Sequence, residues 1–181
     1  FDRMVLTAPM LAFADEKIGF PQGLARVYSE VCGIGSLGRM YVWGGSPRPE
    51  EAKGFENNAL TSDPERFLRN LQILEAAPQL AIGSPTVGWL REAYHACRRV
   101  MHPVFAPKVQ VPMLLVAAGQ DRIVSSAAIE QFANRLKVGG RIVLGGSRHE
   151  ILQENDEIRQ RFWAAFDAYL GIDAGERQSV I

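Results

Sequence analysis

Residues 111–132, VPMLLVAAGQDRIVSSAAIEQF, decide the fold of this chain. An apolar run from Val111 to Ala118 stops at Gly119, Asp121 follows two residues later, and a helix-like segment begins at Ser125. Twenty-eight residues beyond Asp121 the pattern repeats: the apolar strand RIVLGG ends in GGSRHEI, with His149 in almost the same relative place. Near-continuous apolar strands separated by helices of this length imply βαβ crossovers and a parallel sheet covered on both faces.

Working outward, the helix after the first strand is read over SSAAIEQFANRLK, with VGG at 138–140 as its C-terminal stop. The last helix is read over NDEIRQRFWAAFDAYLG, where Ile158, Phe162, Phe166, Tyr169 and Leu170 form one stripe. Toward the N-terminus, Met4 to Ala8 reads as one more strand, ending at Pro9. The stretch also has an Arg, an apolar run and Ala12-Phe13-Ala14, as a signal peptide would. One basic residue and a proline inside the apolar run argue against that reading. A chain that begins in mid-strand is expected to be part of a longer one.

Residues 16 to 105 differ from both flanks. They are rich in Gly and Pro, poor in β-branched runs and helical only in patches. In TSDPERFLRNLQIL, Ser62 and Glu65 are read as a capping box with Pro64 in the first turn. Phe67, Leu68, Leu71 and Leu74 then share a face. A second helix is expected over GWLREAYHACRRVM, with Leu90, Tyr94, Cys97 and Met101 on one side.

Composition bounds the rest. The chain has 181 residues, 47% hydrophobic and 22% charged, with 20 basic and 20 acidic residues, so nothing suggests nucleic acid or an anionic membrane as a constitutive partner. Its apolar runs are strand-sized, well short of the roughly 18 residues of a membrane span, and a cytoplasmic location is the default expectation. Cys32 and Cys97 have no C-x-x-C spacing and are read as reduced thiols. His95 and His102 lack metal-ligand partners at suitable spacing, and Arg98, Arg99 and His102 offer donors to a phosphate group, although a solvated basic turn is the plainer reading.

In an open parallel α/β sheet, functional groups collect beyond the carboxyl ends of the strands. Asp121 and His149 each lie just past such an end. Alone, Asp121 also fits a turn former or helix N-cap, and His149 a loop histidine. Together, after successive strands, they point to the acid and base of a nucleophile–His–acid triad.

On these residues the chain resembles the α/β-hydrolase fold, and within it the lysophospholipase and monoacylglycerol lipase group of serine hydrolases. PMLLVAAGQDRIVSSAAIEQF matches the acid-bearing strand and turn, and GGSRHEILQENDEIRQRFWAAFDAYL the histidine loop and terminal helix. FDRMVLTAPM looks like the strand after the nucleophile helix, and NNALTSDPERFLRN like part of the inserted cap. The resemblance implies the C-terminal part of an α/β-hydrolase parallel sheet, residues 1–15 and 106–181, with a helical cap inserted at 16–105.

It also implies Asp121 and His149 as catalytic residues and a small-molecule or lipid ester as substrate. Cap residues Trp43, Phe55, Leu60, Phe67, Trp89 and Leu90 are candidates for the acyl-binding surface, although core packing is the plainer reading of any one of them. No metal or organic cofactor is implied. The chain departs from the family in lacking G-x-S-x-G: Ser36, Ser46 and Ser147 each have a glycine on one side only. In the family's order the nucleophile would precede residue 1, and the 181 residues alone are not expected to turn over an ester. A peptidase or haloperoxidase-like activity on the same fold is an alternative within enzymes. Transient contact with a membrane or micelle surface goes with a lipid ester substrate; from another class, the alternative is a non-catalytic module whose open apolar surfaces favour self-association into a homo-oligomer.

Overall fold

The computed structural model describes residues 1–14 and 22–172. The expected cap residues 16–21 and core residues 15 and 173–181 lie outside that description. Among the described residues three parallel strands form the sheet: β1 (Met4–Thr7), β2 (Met113–Ala118) and β3 (Gly139–Leu144), in spatial order β1-β2-β3. Met4 pairs with Met113 and Thr7 with Val116, while Met113 pairs with Gly139 and Ala118 with Leu144. β2 is central and its last five residues are buried, which is why its sequence shows no polar alternation.

Two helices cover the sheet. Helix α4 (Ser126–Ala133) follows β2, and α5 (Asp156–Leu170) follows β3. Their apolar stripes place Ile129, Phe132, Ile158 and Phe162 against Leu114, Leu115, Val116 and Ala118. Leu115, Val116 and Ile129 are completely buried, and full burial of such a side chain contributes about 1.5–3 kcal/mol. Helix α5 starts on an Asn155 cap, whose side chain accepts from Ile158 N, and ends at Gly171 in the left-handed region.

The start of β3 differs from the sequence expectation. Helix α4 stops at Ala133, and Gly139 and Gly140 are the first residues of β3 rather than a helix stop. Gly139 has φ 146°, and a Cβ there would lie 2.4 Å from the Met113 carbonyl oxygen, so the strand pairing itself requires glycine.

Between β1 and β2 the chain forms α1 (Gln22–Cys32), α2 (Pro64–Ala76) and α3 (Val87–Val100), joined by loops and single 3-10 turns. Helices α1 and α3 pack around a second apolar cluster of Ala25, Leu90 and Tyr94, with Phe13 and Val42 against it. An ion cluster reinforces the pair: Glu30 accepts from Arg91 at 3.1 Å and lies 2.5 Å from His95 Nε2. The His95 hydrogen bond, ahead of burial, which opposes it, holds the Glu30 carboxyl below its ordinary range. Cys97 is buried in α3 and Cys32 is a free thiol at the end of α1.

The start of α2 also differs from expectation. Its N-cap is Asp63, whose Oδ1 accepts from Glu65 N and Arg66 N at 2.9 and 3.0 Å, not Ser62. The Ser62 hydroxyl is engaged by Glu154 instead. On α2, Phe67 is buried, Leu71 and Leu74 are half-buried, and Leu68 faces outward at 52% exposure.

Candidate active site

All three strands point their carboxyl ends to the same side, and the turns that follow them gather there. Beyond β2, Asp121 is placed by an Asx turn: its Oδ1 accepts from Ile123 N at 2.8 Å and Val124 N at 3.0 Å. Beyond β3, His149 approaches the other oxygen, Nδ1 lying 2.9 Å from Asp121 Oδ2. The meeting depends on Gly119. Its N–H donates to Leu144 O at 2.9 Å, and a Cβ there would sit 3.0 Å from Gly145 Cα, a contact tighter than side chains ordinarily make, so glycine suits the close approach of the two strand ends.

The Asp121 side chain is fully buried and that of His149 is 25% exposed. Burial is the largest influence on the Asp121 carboxyl and acts to raise its pKa. The hydrogen bonds from His149, Val124 and Ile123 together outweigh it, and the pKa lies below the ordinary value. An ionised carboxylate only accepts, so His149 Nδ1 carries the proton and donates. Nε2 is left as an acceptor: among the described residues, Asp121 is the side-chain hydrogen-bond partner of His149. Such a pair can take a proton at Nε2 while the carboxylate stabilises the imidazolium.

Other segments brace the pair. Phe13 forms an antiparallel bridge with Val124, and Ala14 N donates to Ile123 O, fixing the chain beyond β1 onto the acid turn. At the end of β1, Ala8 has φ 41° although it precedes Pro9, an uncommon geometry held by its N–H bond to Val116 O. Glu150, next to His149, carries a carboxyl whose pKa is raised by burial and secondarily by Glu51.

A cavity of about 900 Å³ opens between α1, α3 and the loops around them. Trp43, Leu60, Trp89 and Leu90 line it, together with residues the sequence reading did not single out, among them Phe13, Leu24, Tyr28, Ile82 and Ile123. Phe55 and Phe67 lie outside this lining and pack edge to face on each other, ring centroids 5.6 Å apart. Two lining residues adjoin the turns that carry the polar pair: Ile123 N donates to Asp121 Oδ1, and Leu60 O accepts from the N–H of Glu150, the neighbour of His149, at 2.8 Å.

The sequence reading also missed a polar network behind His149. Glu154 is fully buried and accepts from Arg148 N at 2.6 Å and Ser62 N at 3.1 Å. No periodicity marks Glu154; its nearest signal is its place beside the α5 cap. No group of three His, Cys, Asp or Glu suited to a metal ion occurs among the described residues, nor does a helix long and apolar enough to cross a membrane.

Comparison with known proteins agrees with this architecture. The family model for serine aminopeptidase, S33, matches residues 1–156. Lysophospholipase L2 of Escherichia coli K12 is 34% identical over 112 residues, 58% of this chain and 32% of that protein. The probable lysophospholipase L2 of Haemophilus influenzae is 25% identical over 137 residues, 76% of this chain and 42% of that protein. The chain thus spans well under half the length of these curated relatives.

Among solved structures, Paleococcus ferrophilus monoacylglycerol lipase superposes with a TM-score of 0.67 at 16% identity, covering 96% of this chain and 60% of that one. Monoglyceride lipase of Saccharomyces cerevisiae gives 0.62 at 12% identity, covering 92% and 54%. These two share the fold. A parallel sheet with an acid and a histidine beyond successive strands, and a family match over most of the length, lead to one conclusion: the chain belongs to the serine aminopeptidase, S33, family of α/β-hydrolases.

Proposed function

We propose that this chain carries the acid and the base of a serine ester hydrolase acting on lysophospholipids or monoacylglycerols. Residues 1–15 and 106–181 are its part of the catalytic core and 16–105 its cap. The observation that carries the reading is the His149–Asp121 pair: a buried, ionised carboxylate holds Nδ1 protonated and leaves Nε2 as a base. His149 would take the proton of a serine hydroxyl as that oxygen attacks the ester carbonyl, then return it to the leaving alcohol. A water molecule, deprotonated by the same nitrogen, would cleave the acyl-enzyme.

The serine itself is assigned outside these 181 residues. Two facts support this: no G-x-S-x-G occurs in the sequence, and no serine among the described residues bonds His149. We do not expect this chain alone to be active.

The cavity supports a lipid substrate. Among the described residues its lining contains Lys53 as a charged residue and no carboxylate, so those residues offer apolar surface to an acyl chain and no counter-charge to the free α-ammonium of a peptide. Trp43 and Ile82 on the lining are 82% and 83% exposed, which suits contact with a micelle or bilayer surface. The family's description favours one second reading, an aminopeptidase. Both are tested on the protein expressed from its complete reading frame, with lysophosphatidylcholine, monoacylglycerol and an aminoacyl-p-nitroanilide as substrates. Ester turnover that His149→Ala abolishes supports the first reading. Anilide turnover without ester turnover replaces it with the second, and no turnover of any substrate refutes both.

A further inference from the structure

We infer that Glu154 and Arg148 are positioning residues for His149, acting through a latch that joins the histidine loop to the cap strap at 58–66; the inference rests on His149 being the base. Glu154 is 0% exposed, and its carboxylate oxygens accept from two separate segments. Arg148 N reaches Oε1 at 2.6 Å; Ser62 N lies 3.1 Å from both oxygens, and Ser62 Oγ donates to Oε2. Arg148 crosses back with its side chain, donating from Nη1 to Asn58 O at 3.2 Å and Thr61 O at 3.0 Å. Its guanidinium stands 6.0 Å from the Phe55 ring centroid.

The backbone on either side of the imidazole is tied to the same strap. His149 N donates to Ala59 O at 3.4 Å and Glu150 N to Leu60 O at 2.8 Å. Farther on, Thr61 Oγ1 donates to Gln153 O at 2.6 Å, and Arg66 donates to Glu154 O. The strap is itself rigid, because Asn58 Oδ1 accepts from Leu60 N and Thr61 N.

Three consequences follow. A buried carboxylate taking several N–H and O–H bonds forms charge-assisted bonds, and removing it would strand buried donors on both segments. The residue before His149 is thereby fixed at its backbone and its side chain at once, while the imidazole, among the described residues, is held by the bond to Asp121. Leu60 belongs to the strap and to the cavity wall, so a chain occupying the cavity presses on the element that orients the base.

The test uses the protein from its complete reading frame, with Glu154→Gln, the milder Ser62→Ala, and Phe162→Leu as a buried core change that touches none of the latch's hydrogen bonds. Long-range ¹H–¹⁵N spectra read the tautomer and titration of His149, and kcat and KM are measured on the ester that the unaltered protein hydrolyses. A reorientation of the base on the order of 1 Å predicts that Glu154→Gln lowers kcat about 10- to 100-fold with little change in KM. Its His149 signals shift, Ser62→Ala moves the same readouts less, and Phe162→Leu leaves the His149 signals in place.

His149 signals and kcat unchanged in both latch variants, with only thermal stability lost, would overturn the inference. If Glu154→Gln does not fold, Ser62→Ala decides on the same readouts. If the unaltered protein has no turnover, the hydrolase reading fails, and the His149 spectra still decide whether the latch orients the ring.

Discussion

His149 Nδ1 lies 2.9 Å from Asp121 Oδ2 while the other oxygen of that carboxylate is held by two backbone N–H groups. The acid is therefore oriented by its own turn before the histidine reaches it. Asp121→Asn keeps the shape but not the charge, and can present an N–H to the ring. It is expected to allow the other tautomer and to lower ester turnover about 10⁴-fold, measured in the complete protein with its circular dichroism unchanged.

The pH dependence of stability carries a sign. The folded-state pKa of Asp121 lies below its unfolded value, so its contribution is present above the unfolded pKa and disappears as pH falls through the folded one. Acid denaturation should therefore show Asp121→Asn losing less stability than the unaltered chain in the window below the ordinary aspartate pKa of about 3.9. Parallel losses in the two proteins over that window would count against the assigned shift.

Glu150 has the opposite sign. Its pKa is raised by burial and then by Glu51, so its carboxyl costs stability as pH rises through the folded value. Glu150→Gln removes the charge and should raise the melting temperature at pH 7 by about 1–3 °C while having no effect at pH 3.

Gly119→Ala tests the closeness of the strand ends. The added methyl would meet Gly145 Cα and Leu144 O at 3.0 Å. We expect a loss of about 1–3 kcal/mol in urea unfolding, together with a shift in the His149 ring signals, because the turns that carry Asp121 and His149 both adjoin this contact.

Two cavity residues should separate packing from binding. Leu90 is 8% exposed and belongs to the second apolar cluster, so Leu90→Ala should cost about 2–5 kcal/mol of stability. Trp43, 82% exposed, should give Trp43→Ala within about 0.5 kcal/mol of the original but with a raised KM for long-chain esters.

Much of this arrangement is legible in the sequence, for physical reasons. β2 is buried on both faces, so VPMLLVAAG shows an unbroken apolar run; α3 and α5 bury one stripe each, so their periodicity survives. Asp121 and His149 stand out because each follows a strand. The latch does not stand out. Glu154 meets Ser62 across 92 residues of chain, and a bond of that range leaves no local pattern. Ser62 has the look of a helix cap for the same reason: the sequence cannot show that its hydroxyl is taken by a distant carboxylate while Asp63 caps α2. Gly139 reads as a helix stop until its closeness to Met113 O is seen.

The most direct measurement is the intact mass of the protein from its complete reading frame after treatment with a fluorophosphonate. The account predicts one equivalent of probe on a serine outside these 181 residues, with labelling lost in His149→Ala. A protein that stays unlabelled, or that labels equally well without His149, would contradict it.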